Sequence, residues 1–355
     1  MTDSARRTPA APRTDTMPAW RQARYGGPEV VALGIVDVPV PRRGEVLLRL
    51  RATGLNNGDV RVMHGEPLLL RTAFGFGRPR QAIRGMDAAA TVVAIGDGVR
   101  GFAVGDEVVG ELPQGGGLAR YAVAPAARLV PRPAGLDPLV AASLPVAGGT
   151  AWQALERGGV TDAPAQAAGT RGAAPGRRVL VIGASGGVGT FAVQLAALRG
   201  AEVWALCGPH NRALVEGLGA ARTFDYRVVQ PGAPELGVGS FDAVIDIAGT
   251  APLRELQRLV RAGGRVVLVS GEGGRVVGPI GRMLSAALLS IGSKRPLCAL
   301  AATAKPDVLA RLVTLATEGR LRPVIERTYA FAEAGAALSR LDTRHVAGKL
   351  VVAAG

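Results

Sequence analysis

The sequence predicts an α/β protein of two domains, one built on a doubly wound parallel sheet and one on many short strands. Three observations carry this. Between residues 178 and 270, short apolar runs alternate with helical patterns, which is the signature of a parallel sheet covered on both faces. Within that stretch, one buried strand opens into a glycine-rich turn that begins a helix. Ahead of it, residues 29–51 and 88–110 cluster Val, Leu and Ile between Gly and Pro turns, as a barrel-like or sandwich unit does.

The bulk properties agree. A chain of 355 residues is long for one core and comfortable for two domains. Hydrophobic residues are 48% and charged residues 20%, a globular balance. The 50 glycines and 24 prolines follow no short period, which excludes collagen-like and low-complexity classes. The net charge of +14 is almost entirely arginine, since lysine occurs only at Lys294, Lys305 and Lys349. These arginines are scattered, and aromatics are only 4%. A base-stacking surface is therefore not expected, and neither is a nucleic-acid or membrane partner. Cys207 and Cys298 have no paired spacing, so a reducing cytoplasmic setting is expected. Residues 1–18 are expected to be a disordered tail, with Met17 a candidate start. The apolar run 283–292 is too short to span a bilayer.

In chain order, VLLRLRA (46–52), AAATVVAI (88–95) and DEVVGEL (106–112) read as strands, and residues 150–157 as a helix. Residues 158–177 read as a Gly-, Ala- and Pro-rich loop. The alternation then runs through VLVI (179–182), TFAVQLAALR (190–199), EVWAL (202–206), NRALVEGL (211–218), AVIDI (243–247), LRELQRLV (253–260) and RVVLVS (265–270). A helix over 307–319, a strand-like 325–331, a helix over 332–341 and GKLVV (348–352) do not extend this unit and are expected to return to the first domain.

The turn reads Ala184-Ser185-Gly186-Gly187-Val188-Gly189. Glycines let backbone approach a pyrophosphate, and the first-turn N–H groups of the following helix face the anion. A glycine triplet alone is weak, and a ligand-free βα turn is the plain alternative. Its strand–loop–helix context makes the dinucleotide reading strong. An NAD site usually places Asp or Glu after the second strand. Here stand Gly208-Pro209-His210-Asn211-Arg212, with no carboxylate, so a 2′-phosphate pairing with Arg212 or His210 is expected, and with it NADP. Arg212 reads equally as an exposed helix residue. A catalytic zinc needs about three ligands. His64, His210 and His345 are dispersed and no cysteine accompanies them in the first domain, so no metal is expected.

Several motifs in order resemble the medium-chain dehydrogenase/reductase superfamily, in its zinc-free quinone-oxidoreductase-like branch. They are GLNNGDVRVMHGE (54–66), RGMDAAATVVAIGDGVRGFAVGDEVVGE (84–111), LARYAV (118–123), LPVAGGTAWQAL (144–155), GASGGVGTFAVQLA (183–196), FDAVIDIAGT (241–250), GGRVVLVSG (263–271) and HVAGKLVV (345–352). The resemblance covers residues 19–354. It implies a Rossmann domain (147–297) inserted in a GroES-like β-barrel catalytic domain formed by 19–146 and a return over 298–355. It also implies a homodimer. Zinc-dependent relatives carry Cys in the segment equivalent to 54–59 and a His-Glu pair where Met86-Asp87 stand here. By the same resemblance Asn56 lies beside the nicotinamide ribose, with Asp59 in its turn, and Thr150 at a helix start meets the nicotinamide end. His210, Asn211 and Arg212 form the 2′-phosphate loop, flanked by Tyr226 and Arg344. Ala248-Gly249 and Ser270-Gly271 line the cofactor groove. The sequence departs from the pattern at Gly208 and His210, where Ser and Arg are usual, and at Ala90, where Gly is common. An aromatic usual between Asp59 and Gly65 is missing.

The implied chemistry is NADPH-dependent hydride transfer to a quinone or an α,β-unsaturated carbonyl. Asn56 is the candidate catalytic positioning residue, and Asp59 is the second catalytic candidate, which reads equally as a cap. His64 and Tyr121 are candidate proton donors, though His64 reads more readily as a surface turn residue and Tyr121 as part of a half-buried strand. Two other readings stay open: an enoyl reductase acting on acyl thioesters, and a non-catalytic NADPH-binding structural or sensor protein.

Overall fold

The computed structural model describes residues 16–161, 176–270 and 278–354. The tail up to residue 15, the loop core at 162–175 and Gly271 lie outside the described residues. The first strand, β1 (Thr16–Gln22), pairs antiparallel with β2 (Val31–Asp37). This corrects the expected tail: Thr16 to Pro18 are in a strand, and Met17 is buried against Ala19 and Ala119. Trp20 Nε1 donates to the Phe331 carbonyl at 2.8 Å, which ties this hairpin to the end of the chain.

The catalytic-side sheet is built from β3 (Glu45–Leu55), β4 (Asp87–Ile95), β5 (Glu107–Glu111), β6 (Tyr121–Pro125) and β7 (Leu129–Pro131). Between β3 and β4 lie helices α1 (Asn57–His64) and α2 (Arg71–Phe74). After β7, α3 (Pro138–Ala142) and α4 (Pro145–Arg157) lead to the second domain.

That domain alternates β8 (Arg178–Ile182), α5 (Gly187–Leu198), β9 (Glu202–Cys207), α6 (Arg212–Gly217), β10 (Ala220–Asp225), β11 (Phe241–Asp246), α7 (Leu253–Leu259), β12 (Val260–Leu268), α8 (Ile280–Ser290) and β13 (Leu297–Ala299). The strands are parallel, in the order β10-β9-β8-β11-β12-β13. Apolar runs such as VLVI are covered on both faces, so Val179, Leu180 and Val181 are all fully buried. Strand β13 was not anticipated: three residues carry no periodic signal. It extends to Ala299, so the division at 297/298 falls inside a strand.

The chain closes with α9 (Pro306–Thr317), β14 (Ile325–Ala330), α10 (Ala334–Asp342) and β15 (Lys349–Ala353). Strand β15 pairs with β3 and completes the catalytic-side sheet in the order β14-β15-β3-β4-β5-β7, with β6 on β3. The fold is thus a doubly wound Rossmann sheet inserted in a GroES-like β domain. Because β15 returns to β3, its first residues pass the glycine turn of the other domain: Gly348 bridges Gly186, and its N–H donates to the Ser185 carbonyl at 2.8 Å.

Candidate active site

The glycine turn sits where the strand order reverses between β8 and β11, at the carboxyl ends of the strands, which is the crevice in which doubly wound sheets bind ligands. Gly183 turns the chain at φ +85, a left-handed conformation that favours glycine. A Cβ on Gly189 would lie 2.2 Å from the Gly183 carbonyl oxygen, so this glycine lets α5 pack on its strand. A Cβ on Gly186 would meet only that oxygen, at 3.6 Å, so space lies open beside it. The first backbone bond of α5 is Thr190 N–H to the Gly186 carbonyl. The preceding N–H groups have no partner inside the helix and suit an anion. Ala184 is buried, whereas Ser185, Gly187 and Val188 are partly accessible. Ala248 borders the same turn, its N within 3.3 Å of a Cβ built on Gly183. The Gly249 N–H donates to Asp246 at 3.0 Å. Thr150 is half-buried inside α4, five residues past its start rather than at it. These features fit a nicotinamide dinucleotide, with diphosphate on the turn.

Across the crevice, the β3–α1 junction is polar and buried. The Asn56 amide Nδ2 donates to Asp87 Oδ2 at 2.9 Å, and its Oδ1 accepts from Lys349 Nζ at 2.5 Å. Lys349 also reaches Asp87 Oδ2 at 3.2 Å, while Asp87 Oδ1 accepts the Val146 N–H at 3.0 Å. Lys349 is 2% exposed and Asp87 fully buried. Sequence reasoning missed this pair. The available signal was one of only three lysines heading an otherwise apolar strand, KLVVA.

Asp59 corrects its expected role. Its carboxylate accepts the Asn56 N–H at 2.9 Å and the Gly85 N–H at 2.7 Å, capping α1 and holding the 84–87 loop. Burial pushes its pKa up to about 6, against the pull of those two N–H groups. Its two oxygens are spent on backbone, which is a structural task. His64 is likewise committed, with Nε2 at 2.9 Å from Asp342 on α10, which does not fit the proton-donor role. Tyr121 is half-buried on β6 and packs beside Met17.

Arg61 of α1, which the sequence reading passed over, spans the crevice. Its Nη2 donates to Ser270 Oγ at 3.3 Å, just past the end of β12. At the other end of the groove, Arg212 turns inward: Nε donates to Thr223 Oγ1 at 3.0 Å and Nη2 to the Thr223 carbonyl at 3.1 Å. It does not project freely as a 2′-phosphate ligand would. His210 is exposed and Asn211 half-buried. Tyr226 is 40% exposed, and its ring edge lies 3.8 Å from a Cβ built on Gly208. Arg227 lies 5.7 Å from that ring and adds positive charge, while Asp225 adds a carboxylate that the sequence expectation did not weigh. Arg344 is exposed, at φ +59, on the turn that leads to Gly348.

Strand β5 lies behind this cluster. Glu111 faces Asp87 in register, and burial with that neighbour pushes its pKa up to about 7 against the pull of Arg128. A raised pKa favours the protonated folded state, so stability is greatest below the ordinary carboxyl range and falls as pH rises through about 7. Glu111→Gln removes this titration. Between pH 4.5 and 8 the wild type should lose up to about 3 kcal/mol that the variant retains. Denaturant unfolding at the two pH values measures it, and parallel pH dependences would remove the assignment.

The fold and crevice define a two-domain, dinucleotide-dependent oxidoreductase. The chain belongs to the medium-chain dehydrogenase/reductase superfamily, in its quinone-oxidoreductase-like branch. Residues 42–134 match the alcohol dehydrogenase GroES-like domain, and residues 218–352 match a family described as zinc-binding dehydrogenase. The chain is 35% identical over 326 residues to a chloroplast envelope quinone oxidoreductase homolog of Arabidopsis thaliana, covering 89% of this chain and 92% of the relative. It is 30% identical to the mitochondrial NAD(P)H oxidoreductase RTN4IP1 of Mus musculus, covering 96% and 90%. The quinone oxidoreductase structure from Coxiella burnetii superposes with a TM-score of 0.80 at 27% identity, covering 95% and 99%. The zinc in the family description does not fit the donors here. Met86 precedes Asp87, that carboxylate is engaged by an ammonium, an amide and a backbone N–H, and no metal-holding cluster of His, Cys, Asp or Glu occurs among the described residues.

Proposed function

We propose that the chain is a zinc-independent, NADPH-dependent oxidoreductase that reduces a quinone or an α,β-unsaturated carbonyl. The observation that carries this is the Arg61 guanidinium placed across the crevice, at Ser270 just past the end of β12. The bound nicotinamide supplies the hydride. Ser185 to Gly189 hold the diphosphate, Thr150 and Asn56 the nicotinamide end, and His210, Asn211, Tyr226 and Arg344 the 2′-phosphate end. Arg61 donates to the acceptor oxygen as negative charge develops there, a role that needs fixed donors in a site shielded from water. A guanidinium does not release a proton at neutral pH, and His64 is engaged with Asp342. In this reading the proton that completes reduction comes from solvent.

The test is oxidation of NADPH and NADH against a panel of ortho-quinones, 2-alkenals and enoyl thioesters, with Arg61→Leu in parallel. The variant should bind NADPH as the wild type does and lose roughly 10²-fold in kcat. Equal turnover by the variant removes Arg61 from the chemistry. Binding without oxidation of any acceptor favours a sensor, and a preference for thioesters favours an enoyl reductase.

A further inference from the structure

The site contains a buried cation that the reaction above does not use. Lys349 opens β15 and makes two contacts in the catalytic domain, to Asn56 Oδ1 at 2.5 Å and Asp87 Oδ2 at 3.2 Å. Its aliphatic stem runs under the glycine turn: Cδ lies 3.2 Å from a Cβ built on Gly187. The preceding N–H, of Gly348, bonds the Ser185 carbonyl. One residue thus touches the cofactor turn with its stem and the Asn56 junction with its head.

The chemistry of these neighbours orients the Asn56 amide. An ammonium only donates, and an ionised carboxylate only accepts. Asn56 therefore points Oδ1 at Lys349 and Nδ2 at Asp87; reversed, the amide would set N–H against ammonium and oxygen against carboxylate. The remaining Nδ2 proton faces the Gly54 carbonyl at 3.4 Å. What these bonds leave unused is one lone pair of Oδ1, an acceptor.

We propose that Lys349 is a positioning residue that, with Asp87, locks Asn56 as a pure hydrogen-bond acceptor, so that the site selects a hydroxyl or amide donor of the bound nucleotide. This rests on the nicotinamide reading. It changes what Asn56 does: the residue receives a proton donor from the cofactor and does not stabilise a developing oxyanion, which falls to Arg61. It also makes the cofactor turn and the Asn56 junction one unit, since the β15 start that bonds Ser185 also holds the amide.

The test compares NADPH dissociation constants, read by fluorescence titration, for three full-length proteins whose melting curves are recorded alongside. The first is the wild type. The second is Lys349→Met with Asp87→Asn, which removes both charges together, leaves no lone buried ion and lets the Asn56 amide turn. The third keeps Lys349 and exchanges amide for acid, Asn56→Asp with Asp87→Asn, so that the carboxylate faces the ammonium and accepts from the new amide. The second protein should bind NADPH about tenfold more weakly, the value of a lost charge-assisted orientation. The third should recover most of that affinity, since a carboxylate accepts as Oδ1 does. If the third binds as weakly as the second, Asn56 acts as a donor and the inference falls. Wild-type affinity in the second overturns it too. Should either double variant not fold, the single variant Asn56→Asp decides: retained NADPH affinity supports an acceptor and tenfold loss contradicts it. A wild type that binds no nicotinamide nucleotide sinks the underlying reading, an outcome distinct from the others.

Discussion

Gly189→Ala is expected to cost roughly 3 kcal/mol of stability, whereas a substitution three residues earlier, Gly186→Val, should cost within about 1 kcal/mol. The geometry of the two positions decides the difference. At Gly189 the added carbon would meet backbone, 2.2 Å from the Gly183 oxygen and 2.7 Å from Ala184, atoms held by the β8–α5 junction. Neither helix nor strand can move away without opening the core around Phe191 and Val181, both fully buried. At Gly186 the added carbon meets the same oxygen at 3.6 Å, an ordinary contact. Denaturant midpoints of the two variants measure this. Equal losses would mean that the turn is packed differently from the geometry described.

Lys349→Met is expected to destabilise the protein by about 3 kcal/mol, because it leaves a buried carboxylate without its counter-ion. Asp87 retains the Asn56 amide and the Val146 N–H, which soften the loss without neutralising the charge. Adding Asp87→Asn should return a large part of the lost stability, since an amide in that place needs no ion. Unfolding free energies of the single and double variants form the comparison. A double variant no more stable than Lys349→Met would show that the lysine contributes through its stem alone.

Much of the fold was legible because it rests on local patterns. The strand–turn–helix at 179–198 announces itself through apolar runs and glycines. With the alternation after it, four of the six parallel strands are legible, β8, β9, β11 and β12, while β10 and β13 are not. Strand β13 was hidden because three residues after a proline carry no period, and β1 because a polar, proline-containing segment becomes a strand only through its partner β2. The site was legible where it is made of backbone, at Ser185 to Gly189. It was obscure where side chains meet across the chain. Lys349 and Asn56 are 293 residues apart, and Arg61 and Ser270 are 209 apart. No window of sequence displays such pairs. Asp59 and Arg212 show the converse: residue type and position suggested ligand contacts, and local hydrogen bonds to Gly85 and Thr223 claimed the side chains.

Cofactor binding in this crevice depends on diphosphate seated at the glycine turn. Calorimetric titration of NADPH into the wild type and Gly186→Val tests it most directly. Saturable one-site binding is expected of the wild type, and loss of that binding in a variant whose melting temperature is little changed. Undiminished binding by Gly186→Val, or none by the wild type, would contradict it.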